Sequence, residues 1–266
     1  MLHSKACSCI ARSASGDRCR RSSTGAIGFE LSQQLAANPQ VARLFVVARA
    51  ATRSVLLADL IAQSAGRVIA LDCDIRDEAA LARLAATIAG SVAALHLVIN
   101  TAGMLHDGSG ENDVRPEKSL MQITVAGLQA SFAINAFGPI LLAKSLLPLL
   151  RHSAPVVFAS LSARVGSISD NRAGGWYSYR AATAAQNQLL KTLAIELARL
   201  NRQSIVLALH PGTTDSSLSK PFQANVRAEK LFTPAFAAAS LLQVIAARVP
   251  ADSGNFYAWD GQPIGW

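Results

Sequence analysis

The chain has 266 residues and a formal net charge of +8, and 51% of its residues are hydrophobic while only 16% are charged. This composition excludes a disordered or fibrous chain and indicates a globular protein long enough for one large α/β domain. Residues 1–21 contain five Lys or Arg residues against the single acidic residue Asp17, so they carry +4 of the net charge. A basic segment of this kind can contact nucleic acid, but we expect a solvated arm and no nucleic-acid partner.

The four cysteines do not complete a zinc site, and they lie at Cys7, Cys9, Cys19 and Cys73. We therefore expect free thiols and a cytoplasmic protein. No apolar run reaches the roughly 18 residues of a membrane span, and no apolar segment near the N-terminus resembles a secretory signal. The polar stretch with His106, Asp107 and Glu111 is interpreted as a loop rim, and no metal site is predicted.

Apolar strands alternate with amphipathic helices from about residue 22 onward. The strands are predicted at 44–48, 67–71, 95–100, 155–161, 204–210 and 255–259. The helices are predicted at 27–37, 53–64, 77–89, 117–131, 134–150, 177–200 and 234–248. This alternation is typical of βαβ units, so we predict an α/β domain over residues 22–266: a doubly wound, mainly parallel sheet with helices on both faces.

The first strand of such a sheet is poorly encoded. A doubly wound fold opens with an apolar strand that leads into a glycine turn, but residues 12–21 read RSASGDRCRR. Residues 1–21 are therefore predicted to be a disordered or divergent N-terminal arm.

Residues 22–28 read SSTGAIG and form a reduced glycine-rich loop before the first helix. Backbone N–H groups at such a helix start bind the pyrophosphate of a nucleotide, because the helix dipole favours an anion there. The candidates are Gly25, Ile27 and Gly28. An ordinary helix start is an equally good interpretation of these residues.

Several segments, in this order, resemble the motifs of the short-chain dehydrogenase/reductase family, and in particular its C-factor-like branch, which also contains the carbonyl reductase sniffer. They are CDI at Asp74, NTAG at Asn100, FAINAFGPILLAK at Asn135, GGWYSYRAAT at Tyr179, HPGTT at Pro211 and the ending YAWDGQPIGW. The resemblance covers residues 22–266 and implies a Rossmann domain that binds a nicotinamide cofactor. It also implies a small carbonyl or alcohol substrate and a homodimer or homotetramer.

The resemblance implies where the cofactor binds. Asp74 matches the aspartate beside the adenine, although a turn residue is an equal alternative. Arg49 follows the predicted strand 44–48, which matches the second strand of the family; an arginine there neutralises a 2′-phosphate, so NADP(H) is favoured over NAD(H). The other matching positions are Asn100, Ala102 and Gly103 after one strand and Pro211, Gly212, Thr213 and Thr214 after another.

The resemblance also implies the catalytic residues. Asn135 matches the asparagine that holds a water in the proton relay, and Tyr179 matches the catalytic tyrosine. The serine that binds the carbonyl oxygen is assigned to Ser162 over Ser160. Counting back from Gly166, however, places Ala163 at the usual serine position.

The catalytic lysine of the family is missing. It stands four residues after the tyrosine, one helical turn along the same face, where its charge lowers the tyrosine pKa. Here Thr183 occupies that position. Two functions remain open: an NADP-dependent carbonyl reductase, impaired by the change, and a catalytically inactive nucleotide-binding or signalling protein of the same fold.

Overall fold

The computed structural model describes residues 5–10 by their backbone, and residues 25–106 and 114–266. Seven strands form one parallel sheet: β1 Lys5–Ile10, β2 Val41–Ala48, β3 Val68–Asp72, β4 Leu97–Asn100, β5 Val156–Leu161, β6 Ser204–His210 and β9 Asn255–Ala258. Two short strands, β7 Thr213–Thr214 and β8 Leu231–Phe232, pair with each other outside this sheet.

Seven α-helices lie between these strands: α1 Ala26–Ala37, α2 Val55–Ala62, α3 Glu78–Ala89, α4 Val125–Phe132, α5 Gly138–Leu150, α6 Tyr177–Leu200 and α7 Pro234–Ala246. The sheet has the order β3-β2-β1-β4-β5-β6-β9. The chain adds strands to one side of β1 as far as β3 and then crosses to the other side to form β4, so the strand order reverses between β1 and β4. The prediction of a doubly wound parallel sheet is therefore confirmed, and ligands of such sheets bind at the carboxyl ends of the strands beside this reversal.

The structure differs from the predicted N-terminal arm at one point. Residues Lys5–Ile10 form β1, the central strand, in which Cys7 pairs with Leu44 on one side and Leu97 on the other. Their sequence, KACSCI, has no β-branched run, so the strand is formed by backbone pairing with β2 and β4 and not by local preference. Residues 1–4 and 11–24 of the predicted arm lie outside the described residues.

The core consists of two layers, one on each face of the sheet. On one face α1 and α7 pack together, with buried residues such as Leu31 and Leu241. On the other face α3, α5 and α6 pack against β4 and β5, with Leu81, Leu146 and Leu197 fully buried. This arrangement leaves the carboxyl edge of the sheet open for a ligand.

The predicted helix at 117–131 begins later in the structure. Leu120–Gln122 is a single 3₁₀ turn, and α4 starts after Thr124, whose hydroxyl accepts a hydrogen bond from the Gly127 N–H at 3.0 Å. A π-helical turn, Ala133–Phe137, then joins α4 to α5. The stretch Val125–Leu150 is long and apolar enough to span a membrane, but 56% of its most apolar window is buried inside the fold, as in a core helix.

Candidate active site

A cleft of about 440 Å³ opens at the carboxyl edge of the sheet. Its walls come from the start of α1, the segments after β4 and β6, the end of β5 and the first turns of α6. The predicted site residues that line it are Gly25, Ile27, Gly28, Ala102, Gly103, Asn135, Ser162, Tyr179, Thr183, Pro211, Gly212, Thr213 and Thr214. The fold therefore brings together segments that are far apart in the sequence.

The start of α1 is suited to an anion. The first helical hydrogen bond runs from the Phe29 N–H to the Gly25 backbone oxygen at 2.9 Å. Gly25 is the N-cap residue, and it has no side chain that could cap the first turn of the helix. Residues 25–28 all line the cleft. Backbone N–H groups at a helix start bind phosphate oxygens.

Thr214 supplies an independent sign that the cleft is built for a polar ligand. Its side chain is only 4% exposed, and its buried Oγ1 has no hydrogen-bond partner in the part of the chain that the structure describes. An orphaned buried hydroxyl is costly unless a ligand satisfies it. Gly212 turns the chain here with a φ of +75°, and a Cβ on it would lie 2.4 Å from the Phe232 ring. An unpaired hydroxyl and a tight glycine turn therefore lie together in this wall of the cleft.

Three predicted cofactor residues do not line this cleft. Asn100 is fully buried at the end of β4, where its amide donates to the Ser160 hydroxyl at 2.8 Å. The carboxylate of Asp74 accepts hydrogen bonds from the Arg76 side chain and from the Arg76 N–H. Arg49 directly follows β2. Their roles toward a cofactor remain predictions.

Asn135 lies in the π-helical turn and points its amide at one backbone position. Its Oδ1 accepts from the Met104 N–H at 2.8 Å, and its Nδ2 donates to the Met104 oxygen at 2.7 Å. The same Nδ2 donates to the Ser131 hydroxyl at 3.1 Å. Asn135 therefore fixes the segment after β4 against the helix that precedes α5.

The structure separates the serine candidates. Ser160 is fully buried and bonded to Asn100, away from the cleft, whereas Ser162 and Ala163 both line the cleft. The Ser162 hydroxyl donates to the Asn187 Oδ1 at 2.7 Å. Ser162 must release Asn187 before it can donate to a substrate oxygen.

Tyr179 lies in the first turns of α6 with its partly buried ring in the cleft. Desolvation by burial raises the pKa of its phenol to about 12. Because the neutral phenol is the favoured form, Tyr179 can donate a proton at neutral pH. The phenolate, which would act as a base, is present only in a small fraction of the molecules.

Thr183 does not replace the missing lysine. Its hydroxyl donates to the backbone oxygens of Tyr179, at 2.6 Å, and of Arg180, at 3.1 Å. The Thr183 side chain is therefore bonded to its own helix. Gly166 packs directly against it, and a Cβ on Gly166 would lie 2.9 Å from the Thr183 Cβ. The threonine supplies neither a charge nor a free hydroxyl hydrogen to the cleft.

The residues of the cleft that were not predicted include Gln186, His210 and Trp176. Gln186 follows Thr183 on the same helix face, a spacing that could have identified it. His210 precedes the Pro-Gly turn, and burial together with the nearby Arg164 charge lowers its pKa to about 4. Trp176 gave no signal, since its placement depends on the turn before α6.

No group of three or more potential metal ligands occurs among the described residues. His106 contacts the Ser217 oxygen through its Nε2 at 3.2 Å. Asp107 and Glu111 lie outside the described residues.

Comparison with known proteins agrees with this geometry. A family model of short chain dehydrogenases matches residues 22–227. A relative in Rhodococcus sp. strain AD45, 1-hydroxy-2-glutathionyl-2-methyl-3-butene dehydrogenase, is 31% identical over 212 residues, which cover 79% of this chain and 84% of the relative. The C-signal protein of Myxococcus xanthus is 29% identical over 148 residues, 56% of this chain and 84% of that protein.

Solved structures share this fold. The NADPH-bound carbonyl reductase from chicken fatty liver superposes with a TM-score of 0.81 at 20% identity, with 100% of both chains covered. The carbonyl reductase Sniffer of D. melanogaster also gives 0.81, at 23% identity, with 99% of this chain and 100% of that chain covered. The resemblance to the short-chain dehydrogenase/reductase family is confirmed, and this chain belongs to that family.

Proposed function

We propose that this chain is an NADP(H)-dependent carbonyl reductase that works in the direction of reduction, with Tyr179 as the proton donor. The observation that carries the proposal is the position of Tyr179. It shares one cleft with the α1 start and with the unpaired Thr214 hydroxyl. The acid and the residues that would hold the cofactor thus face the same space.

The chemistry divides between the cofactor and the chain. A bound reduced nicotinamide would supply the hydride to the carbonyl carbon, leaving oxidised cofactor and a negative charge on the substrate oxygen. Tyr179 then donates its phenolic proton to that oxygen, which completes the alcohol. Gly25 and Gly28 would face the pyrophosphate, and Thr213 and Thr214 would bond the nicotinamide amide.

The acidity of Tyr179 permits the proton donation that reduction requires. A phenol with a pKa of about 12 is still a stronger acid than an aliphatic alcohol. Proton donation to the developing alkoxide is therefore favourable without a lysine. The reverse reaction needs the phenolate, which is scarce at neutral pH.

The experiment first titrates the protein with NADPH and with NADH and measures binding by thermal shift. A second assay supplies a carbonyl compound and measures the loss of absorbance as the reduced nicotinamide is oxidised. We expect saturable stabilisation and slow loss of absorbance with a ketone or aldehyde. Stabilisation without turnover would instead support the second candidate, an inactive nucleotide-binding or signalling protein. That candidate is favoured by one observation: Thr183 lacks the amine that the family carries at this position.

The preference for NADP(H) rests on Arg49, whose guanidinium would neutralise a 2′-phosphate. The change Arg49→Ala should weaken NADPH binding at least about tenfold and leave NADH binding unchanged. Arg199→Ala, an exposed site on the last turn of α6, is the matched control. Equal loss for both cofactors would contradict the assignment.

We also propose that the protein acts in the cytoplasm on small molecules, as a homodimer or homotetramer and without a membrane span. Light scattering during gel filtration measures the assembly. A monomeric mass at micromolar concentration would contradict this part of the proposal.

A further inference from the structure

The turn before α6 holds three consecutive residues in the left-handed region. Gly174, Gly175 and Trp176 have φ values of +64°, +65° and +53°. Glycine adopts this conformation readily, but a bulky tryptophan does so only where the surrounding structure holds it in place. The conformation of Trp176 therefore requires an explanation.

Arg180 and Glu117 hold this turn from two sides. The Arg180 guanidinium donates to the Gly175 oxygen at 3.0 Å, the Gly174 oxygen at 3.2 Å and the Val165 oxygen at 3.3 Å. The backbone N–H of Trp176 donates to the backbone oxygen of Glu117 at 2.5 Å. The Glu117 carboxylate accepts from the Ser178 N–H and the Ser178 hydroxyl. The turn is thus anchored on both sides, and the indole has a defined position.

The indole is placed beside the proposed acid. Its ring centre lies 6.4 Å from that of Tyr179 and 5.1 Å from that of Phe222. All three rings line the cleft. We call Trp176 and Phe222 the aromatic wall.

Other apolar residues also line the cleft. They include Leu105, Leu218 and Val226. Ser216 and Ser219 also border it, but their hydroxyls lie 3.4 Å apart and Ser219 donates to the Thr214 oxygen. The surface beside Tyr179 thus offers ring faces and edges, which favour flat π-systems over puckered saturated rings.

We propose that the aromatic wall is a substrate-specificity site that selects carbonyl compounds whose carbonyl is attached to a flat aromatic ring, with the ring packed on Trp176 and Phe222 and the oxygen directed to Tyr179. This inference rests on the proposed carbonyl reduction and names its substrate class. Trp176 and Phe222 act here as binding residues.

The test compares two ketones with the same number of carbon atoms, acetophenone and cyclohexyl methyl ketone. Each is titrated into the full chain with oxidised NADP present, so that no reduction occurs, and binding is read from tryptophan fluorescence and thermal shift. We expect acetophenone to bind about tenfold more tightly, the size of one good aromatic contact. Equal binding of the two ketones would overturn the proposal.

Two variants locate the effect. Trp176→Leu and Phe222→Leu keep apolar bulk but remove the ring, and each should bring the ratio of the two dissociation constants toward one. Trp266→Leu is the matched control, because Trp266 stacks on Phe256 and does not line the cleft. Trp176→Gly, which suits the left-handed backbone, serves if the leucine variant does not fold. An unchanged ratio in both wall variants would also overturn the proposal.

The outcomes separate this inference from the proposed function. Selective binding of acetophenone without turnover when NADPH is supplied would contradict the proposed function but support the aromatic site. Turnover of both ketones with equal kcat/KM would support the function and overturn the site.

Discussion

Thr183 donates its hydroxyl hydrogen bond to the backbone oxygen of Tyr179, one helical turn earlier, at 2.6 Å. At the position where the family carries a charged amine, this chain therefore carries a side chain bonded to its own helix. The tyrosine that shares the cleft with the proposed cofactor residues has no lysine to lower its pKa.

The substitution Thr183→Lys should restore the missing charge. We expect the rate of carbonyl reduction to rise by about 10²- to 10⁴-fold, the usual contribution of acid–base catalysis. Thr183→Met, which is long but uncharged, should give no such gain. The measurement is kcat with NADPH at fixed pH. A folded, cofactor-binding Lys variant without any gain would support the inactive protein instead.

The pH dependence should differ between the two directions of the reaction. The pKa of Tyr179 is about 12, so the phenol stays protonated between pH 7 and 10 and reduction should show no Tyr179 titration there. The phenolate fraction is about 10⁻⁵ at pH 7 and grows tenfold per pH unit. Alcohol oxidation should therefore rise about tenfold per unit over this range. In Thr183→Lys this rise should level off at a lower pH.

The change Thr214→Val tests the orphaned hydroxyl. Valine has nearly the same shape, and the Oγ1 that it removes is buried and unpaired within the described chain. Without cofactor we expect an unchanged or higher melting temperature, because an unsatisfied polar group is lost. With NADPH the stabilisation should shrink, since a ligand contact is lost. A lower melting temperature without cofactor and unchanged NADPH binding would contradict this assignment.

His210 should make stability depend on pH. Burial and the Arg164 charge lower its pKa from 6.5 to about 4 in the folded protein. The folded state therefore favours the neutral ring, so this contribution to stability is present above pH 6.5 and is lost as the pH falls toward 4. His210→Asn should reduce the fall in unfolding free energy between pH 7 and 4, measured by urea denaturation. If the unfolding free energy falls equally in the original protein and in His210→Asn, the pH dependence belongs to other groups.

Much of the fold could be predicted because local patterns carry it. Helix α6 and strand β6 have the predicted bounds, 177–200 and 204–210. Both are long runs with a clear apolar period, bounded by residues that end them. Strand β1 was not predicted, because its six residues, KACSCI, show no clear apolar period. Pairing with β2 and β4 makes them a strand, and that is a long-range property.

The candidate site divides in the same way. The sequence alone determined the family motifs, the position of Tyr179 and the loss of the lysine at Thr183, because these depend on residue identity and on spacing along one helix. The tertiary structure decided that Ser162 and not Ser160 reaches the cleft, and that Thr214 has a buried unpaired hydroxyl. It also placed Trp176 against Phe222. These relationships join residues from different elements, and their distances are set by how the strands and helices pack, which spacing along the chain does not encode.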